Sequence, residues 1–192
     1  MRIMKISLGP MDNNVYVVVD PRTNNSVVVD ASHDAARIAE AVAGTSVQYI
    51  LLTHGDADHV DALQDLRNRL GAPVGVYAAD AGRLPAPPDF EIADGQNIHV
   101  GDVTLRALHT PGHTPGSLCF YAGDTLLAGD TLFPGGPGAT HDDKTKFAQI
   151  IDGIRGKLFA LPDDTAVRPG HGADTTIGAE KPHLQEWIDR GY

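Results

Sequence analysis

The chain has 192 residues, 42% hydrophobic and 21% charged, with a formal net charge of −10, which fits one soluble globular domain over 1–192. The acidic balance, with no Lys/Arg run, argues against a nucleic-acid partner, because a phosphate backbone needs a basic face. Cys119 is the one cysteine, so no intrachain disulfide can form, and with no signal-like leader and no run of ~20 apolar residues the expectation is a cytoplasmic protein without a membrane partner.

Residues 2–8 alternate and suit an outer strand, and 11–14 read as a turn. The β-branched runs 15–19 and 27–29 read as strands joined by a hairpin through 21–25. Ser32 is read as the N-cap of a helix over 34–43, with Ile38 and Val42 inward and His33 on the surface. Run 47–52 reads as a buried strand. A helix over 59–70 follows, with Val60, Leu63, Leu66 and Leu70 in helical period and Gly71 and Pro73 closing it. Next come a short strand over 74–77, a helical turn over 80–83, a proline-stiffened loop over 85–89 and small strands over 91–103, on which His99 faces outward.

Between the strand 47–52 and the helix 59–70 lies Thr53-His54-Gly55-Asp56-Ala57-Asp58-His59. Two imidazoles and two carboxylates share a turn at a strand end, a place that commonly presents side chains to a cleft. Imidazole suits zinc and iron, and carboxylate suits harder ions. By itself the heptapeptide reads equally as a solvated acidic turn. Three later stretches change that balance: Thr110-Pro111-Gly112-His113, Ala128-Gly129-Asp130-Thr131 and Arg168-Pro169-Gly170-His171-Gly172. Each follows an apolar run and sets one His or Asp beside glycine, which allows a sharp turn and close backbone approach to an ion.

The segments carrying these residues complete the chain order. Strand 103–108 leads to His109, read as core or supporting, and to His113. A hairpin pairs 118–121 with 125–128, with Cys119 as a buried, inert thiol. After Asp130 the glycine-rich stretch 134–141 looks flexible. It reads either as a lid or substrate wall, with Phe133 and His141 as candidate substrate contacts, or as a plain connection to a helix over 142–160. A strand over 165–168 ends at His171. A last helix opens near Gly178, packing Leu184, Trp187 and Ile188, with His183 outside.

The ordered set His54-x-Asp56-x-Asp58-His59, His113, Asp130, His171 resembles the metallo-β-lactamase fold superfamily, whose motif is His-x-His-x-Asp-His followed by a lone His, Asp and His. The resemblance covers nearly the whole chain, and it implies an α/β fold, an αββα sandwich of two mixed sheets flanked by helices. It also implies two divalent ions, zinc first, with iron or manganese as alternatives. His54, position 56 and His113 would hold one ion, and Asp58, His59 and His171 the other. Asp130 would bridge them, and Asp58 would orient the bridging hydroxide and accept or relay its proton. Asp130, where β-lactamases of this fold tend to carry Cys, points away from β-lactams. The stretches 129–133 and 169–180 are similar to small glyoxalase II relatives, so the expected substrate is a small-molecule thioester or related acyl ester.

One departure is Asp56, which stands at the second histidine of the motif. A carboxylate there lowers the formal charge of the centre by one, weakening its activation of water, and favours harder ions. Two other readings stay open: a mononuclear iron oxygenase resembling persulfide dioxygenases, with iron on His54, His113 and Asp130, and a metal-binding relative crippled at its first site. The motif fixes neither the acyl group, nor the thiol carrier, nor the oligomeric state.

Overall fold

The computed structural model describes residues 1–191. The first half of the chain builds one six-stranded sheet. Its elements are β1 (Arg2–Leu8), β2 (Asn13–Val19), β3 (Asn25–Val29), α1 (Ala35–Ala41), β4 (Ser46–Leu51), α2 (Ala57–Val60), α3 (Leu63–Leu70), β5 (Val74–Val76), a 3-10 turn (Ala78–Arg83) and β6 (Phe90–Glu91). The strands lie in chain order, antiparallel from β1 to β3 and parallel from β3 to β6.

The second half builds the other sheet. It comprises β7 (Asn97–Val100), β8 (Val103–His109), β9 (Leu118–Ala122), β10 (Thr125–Gly129), a small hairpin of β11 (Leu132–Phe133) and β12 (Gly136–Pro137), α4 (Lys144–Gly153), a π turn (Ile154–Leu158), β13 (Ala166–Pro169), β14 (Thr175–Thr176), α5 (Ile177–Glu180), a 3-10 turn (Lys181–His183) and α6 (Leu184–Arg190). The sheet order is β14-β13-β10-β9-β8-β7, parallel only between β10 and β13.

Side-chain alternation makes four layers of these elements. Val15, Val17, Val28 and Ile50 turn outward to pack with Ile38, Leu63 and Leu66 of the first helical layer. Tyr16, Val18, Val27, Val29 and Leu51 turn inward and meet Leu105, Leu118, Phe120 and Leu127 of the second sheet. Cys119, Leu126 and Ala128 face Ile150, Ile151, Ile154 and Trp187 of the second helical layer. The expected αββα sandwich is therefore the architecture found, and Cys119 is a buried free thiol within it.

Several local expectations differ, each because a tertiary partner intervenes. The turn read over 11–14 gives way at Asn13, where β2 begins, because Asn13 and Asn14 are fully buried and bonded. The N-cap of α1 is Asp34, whose carboxylate accepts from Arg37 N at 3.0 Å, while Ser32 lies buried behind the left-handed His33. The helix read over 59–70 is broken, because His59 O accepts from Ala31 N and Ala62 N donates to Ala31 O. Consecutive left-handed residues His141 and Asp142 delay the helix read from 142 until Lys144, and Asp143 caps it. The stretch read as a flexible loop after Asp130 contains the β11–β12 hairpin, tied to the second helical layer by Gly135 N donating to Glu180.

Candidate metal centre

All of the motif residues leave strand ends on one rim of the two sheets. Asn13 pairs with His171 in an isolated bridge across the sheets, and Asn14 N donates to Gly170 O at 2.7 Å. Tyr16 Oη and Asn14 Nδ2 donate to Pro169 O. The buried Asp80 carboxylate accepts from Gly55 N, Thr114 Oγ1 and Gly116 N, at 2.7–2.8 Å. These contacts lock the turn after β4 against the loop after β8, so residues far apart in sequence share one cleft.

The structure brings all seven predicted residues together. Nε2 of His54 and of His113 lie 3.9 and 3.0 Å from Asp56 Oδ2. Nε2 of His59 and of His171 lie 3.6 and 3.4 Å from Asp58 Oδ2. Asp130 touches both sets: Oδ1 is 3.5 Å from His59, and Oδ2 is 3.6 Å from His113 and 3.3 Å from His171. Two donors each ~2.1 Å from one ion in tetrahedral geometry stand ~3.4 Å apart. Most of these separations match that figure and exceed a good hydrogen bond.

A second feature supports a metal-binding role. Nε2 of His54 and Oδ1 of Asp130 are buried and have no hydrogen-bond partner, a costly state for a polar atom unless a ligand completes it. The Nδ1 atoms, by contrast, are all engaged. Those of His54, His59, His113 and His171 meet Thr53 Oγ1, Asp30 Oδ2, Ala139 O and Met11 O, at 2.8–3.0 Å. Such outer partners fix the ring orientation and turn the other nitrogen to the metal. Gly170 leaves the centre its space: a Cβ there would lie 2.2 Å from Asp130 Oδ1 and 2.7 Å from His59 Cε1. The residues present fit divalent ions on geometry, orphaned atoms and donor chemistry.

The electrostatics are those of imidazoles and carboxylates crowded together in a half-buried cleft. Burial, then the neighbouring His59, press the His54 pKa down to about 4. Burial also opposes charge on His59, but the bond to Asp30 and the fields of Asp30, Asp130 and Asp58 carry its pKa up to about 9. Burial would raise Asp130, yet the His171 bond and the fields of His59 and His54 bring it down to about 2. The His113 hydrogen bond chiefly holds Asp56 far below the usual carboxylate range, helped by the field of His54 and a hydrogen bond from Arg83.

Other expectations find their places around the centre. The Phe133 ring stacks 6.3 Å from His171, and the His141 ring lies 6.3 Å from His113. His109 is outside the cluster; it stacks on Tyr77 at 3.8 Å and reaches Pro115 O at 2.9 Å. His99 meets Thr104 and His183 pairs with Glu186, both exposed. His33, expected on the surface, is an exposed residue whose ring bridges Asp61 Oδ2 and Asn13 Oδ1; Asn13 Nδ2 in turn donates to Asp58 Oδ2 at 2.8 Å. The sequence reading missed Asp30, Asn13, Asp80 and Arg83 as supporting residues. Asp30 and Asn13 do sit at β-strand ends beside the rim, a position that could have drawn attention to them.

The chain is similar to known proteins along most of its length. The family model described as the metallo-beta-lactamase superfamily matches residues 8–171. The hydroxyacylglutathione hydrolase GloC of Haemophilus influenzae is 31% identical over 94% of this chain and 95% of its own length. The hydroxyacylglutathione hydrolase of Cereibacter sphaeroides ATCC 17023 is 38% identical over 83% of this chain, which matches 62% of that longer protein. Among solved structures, ETHE1 from Myxococcus xanthus has a TM-score of 0.88 at 28% identity, covering 100% of this chain and 90% of its own. BLEG-1, described as a B3 metallo-beta-lactamase, has a TM-score of 0.86 at 28% identity over 95% and 98% of the two chains. TTHA1623 in a di-iron-bound form has a TM-score of 0.78 at 30% identity, covering 93% of this chain and 96% of its own. With its sandwich, its rim of convergent imidazoles and carboxylates and these matches, the chain belongs to the metallo-beta-lactamase superfamily.

Proposed function

We propose that residues 1–192 act as one catalytic domain that hydrolyses a small-molecule thioester or related acyl ester at a centre of two divalent ions. His54, Asp56 and His113 would hold one ion, Asp58, His59 and His171 the other, with Asp130 between them. The carrying observation is the separation of the ligand atoms, together with the two orphaned buried atoms, His54 Nε2 and Asp130 Oδ1. When bound, such ions acidify water and polarise an acyl carbonyl.

The chain's own residues supply the rest. Asp58, a quarter exposed and hydrogen-bonded by Asn13, is placed to accept the proton of the attacking water. Asp30, Thr53 and the carbonyls of Met11 and Ala139 hold the imidazoles in one tautomer. Phe133 and His141 flank opposite ends of the centre and would line the acyl group. The choice of thioester rests on the two hydroxyacylglutathione hydrolases, whose likeness covers 83% and 94% of this chain.

The test is hydrolysis of S-lactoylglutathione, with an aryl ester and a β-lactam alongside, by zinc-loaded protein and by His171→Ala. Thioester turnover that collapses in the variant is expected; equal rates would refute the reading. The likeness to ETHE1 motivates a second reading, a mononuclear iron oxygenase using His54, His113 and Asp130. It requires oxygen uptake with a thiol persulfide by iron-loaded protein, which the hydrolase does not produce.

A further inference from the structure

Arg83 reaches the metal centre from an element the motif does not include. Its guanidinium hydrogen-bonds Asp56 Oδ1, while Asp56 Oδ2 faces His113 and His54. Among the described residues its hydrogen bond and its ion pair both go to Asp56.

The approach is built into the fold. Arg83 ends the 3-10 turn Ala78–Arg83, and Asp80 of that turn is the buried carboxylate clamped to Gly55, Thr114 and Gly116. Gly55 lies between the two ligand positions His54 and Asp56. A Cβ on it would stand 2.7 Å from Arg83 Cβ and 3.2 Å from Asp80 O. A side chain at 55 would push the turn away and take the guanidinium with it. The Arg83 side chain is 44% exposed and that of Asp56 24%, so the seating of the turn, and not burial, holds the guanidinium on the carboxylate.

We propose that Asp56 and Arg83 act as one unit, in which the guanidinium fixes the carboxylate with Oδ2 turned to the metal and cancels its charge, so that the pair stands in for a neutral imidazole ligand. The charge lost through Asp56 is thereby returned to the centre, and the first site keeps an oxygen donor without becoming a weaker electrophile. This inference rests on the reading of Asp56 as a ligand in the proposed function.

The test is zinc binding by metal-depleted protein, measured as stoichiometry and as two affinities by chelator competition. The proteins are wild type, Arg83→Met, Arg83→Lys, Asp56→His and the double variant Asp56→His/Arg83→Met. Arg83→Met is expected to weaken one of the two sites roughly 10- to 100-fold, the usual range for outer partners of a ligand, and to leave the other unchanged. Arg83→Lys, which keeps a hydrogen-bond donor for Asp56 Oδ1, is expected to lose less. In the Asp56→His background, Arg83→Met is expected to cost nothing or to tighten binding, because an unpaired cation beside the site is removed.

Wild-type affinity in Arg83→Met overturns the proposal. Equal losses in Arg83→Met and Arg83→Lys overturn it too, and so does an equal loss from Arg83→Met in both backgrounds, since either places the effect in packing. A wild type that binds no divalent ion refutes the proposed function itself and the pair with it, a result distinct from all the others. Thermal unfolding of the metal-depleted variants checks that each one folds.

Discussion

Asp30→Asn isolates the charge that organises the inner wall of the centre. Asp30 is 1% exposed and left-handed, with φ 66°, a conformation asparagine adopts as readily as aspartate. The backbone is therefore undisturbed. Its Oδ1 accepts from Thr53 N at 2.8 Å and its Oδ2 accepts from His59 Nδ1 at 3.0 Å, with the Thr53 hydroxyl between them. An amide has one oxygen for these two places. With that oxygen on Thr53 N, its NH2 faces His59 Nδ1 and forces the imidazole proton onto Nε2, the atom that should meet the ion. With the oxygen on His59, Thr53 N–H is left buried and unpaired.

Breaking a buried charged pair costs about 3–5 kcal/mol, and loss of an outer partner costs about 10–100-fold in metal affinity. Urea unfolding of metal-depleted protein measures the first quantity, with an unchanged m-value showing that the transition is comparable. Zinc competition measures the second. A loss of less than about 1 kcal/mol, the worth of one ordinary neutral hydrogen bond, with unchanged zinc affinity would refute the account of how the imidazoles are held.

The metal-depleted protein is expected to lose stability from His59 as pH rises. The folded pKa of about 9 lies above the ordinary 6.5, so this contribution is complete below 6.5 and gone above about 9. Zinc affinity should climb over the same window, since binding releases that proton. His54 has the opposite sign: its folded pKa of about 4 means stability lost as pH falls from 6.5 toward 4. A urea midpoint of the metal-depleted protein that rises steadily from pH 6.5 to 9 contradicts the first assignment. Gly170→Ala is expected to abolish two-ion binding while the fold survives, because the added Cβ meets Asp130 and His59 whereas the backbone bonds of Gly170 to Gly129 and Asn14 remain. Zinc stoichiometry with near-UV circular dichroism checks it, and two ions retained would show that the space is not the centre.

The sandwich was legible in the chain only through the family its ordered His and Asp motif resembles, and the candidate ligands through the motif residues themselves. Alternating β-branched strands specify which face each residue takes, and chemistry-bearing residues at glycine-punctuated strand ends mark a rim. His54, Asp58, His113 and Asp130 could be named because ligand types are few and their local settings repeat. The residues that hold them could not. Asp30 and Asn13 act across the gap between chain segments, Asp80 acts through buried amides of two loops, and Arg83 reaches Asp56 from 27 residues away. Nothing local to Arg83 separates it from a solvated arginine at a turn; only packing of that turn on Gly55 brings it to the centre. The same limit explains the broken helix after His59 and the tied hairpin after Asp130. Backbone donors there bond to partners that only the folded chain supplies, so periodicity along the chain could not reveal them.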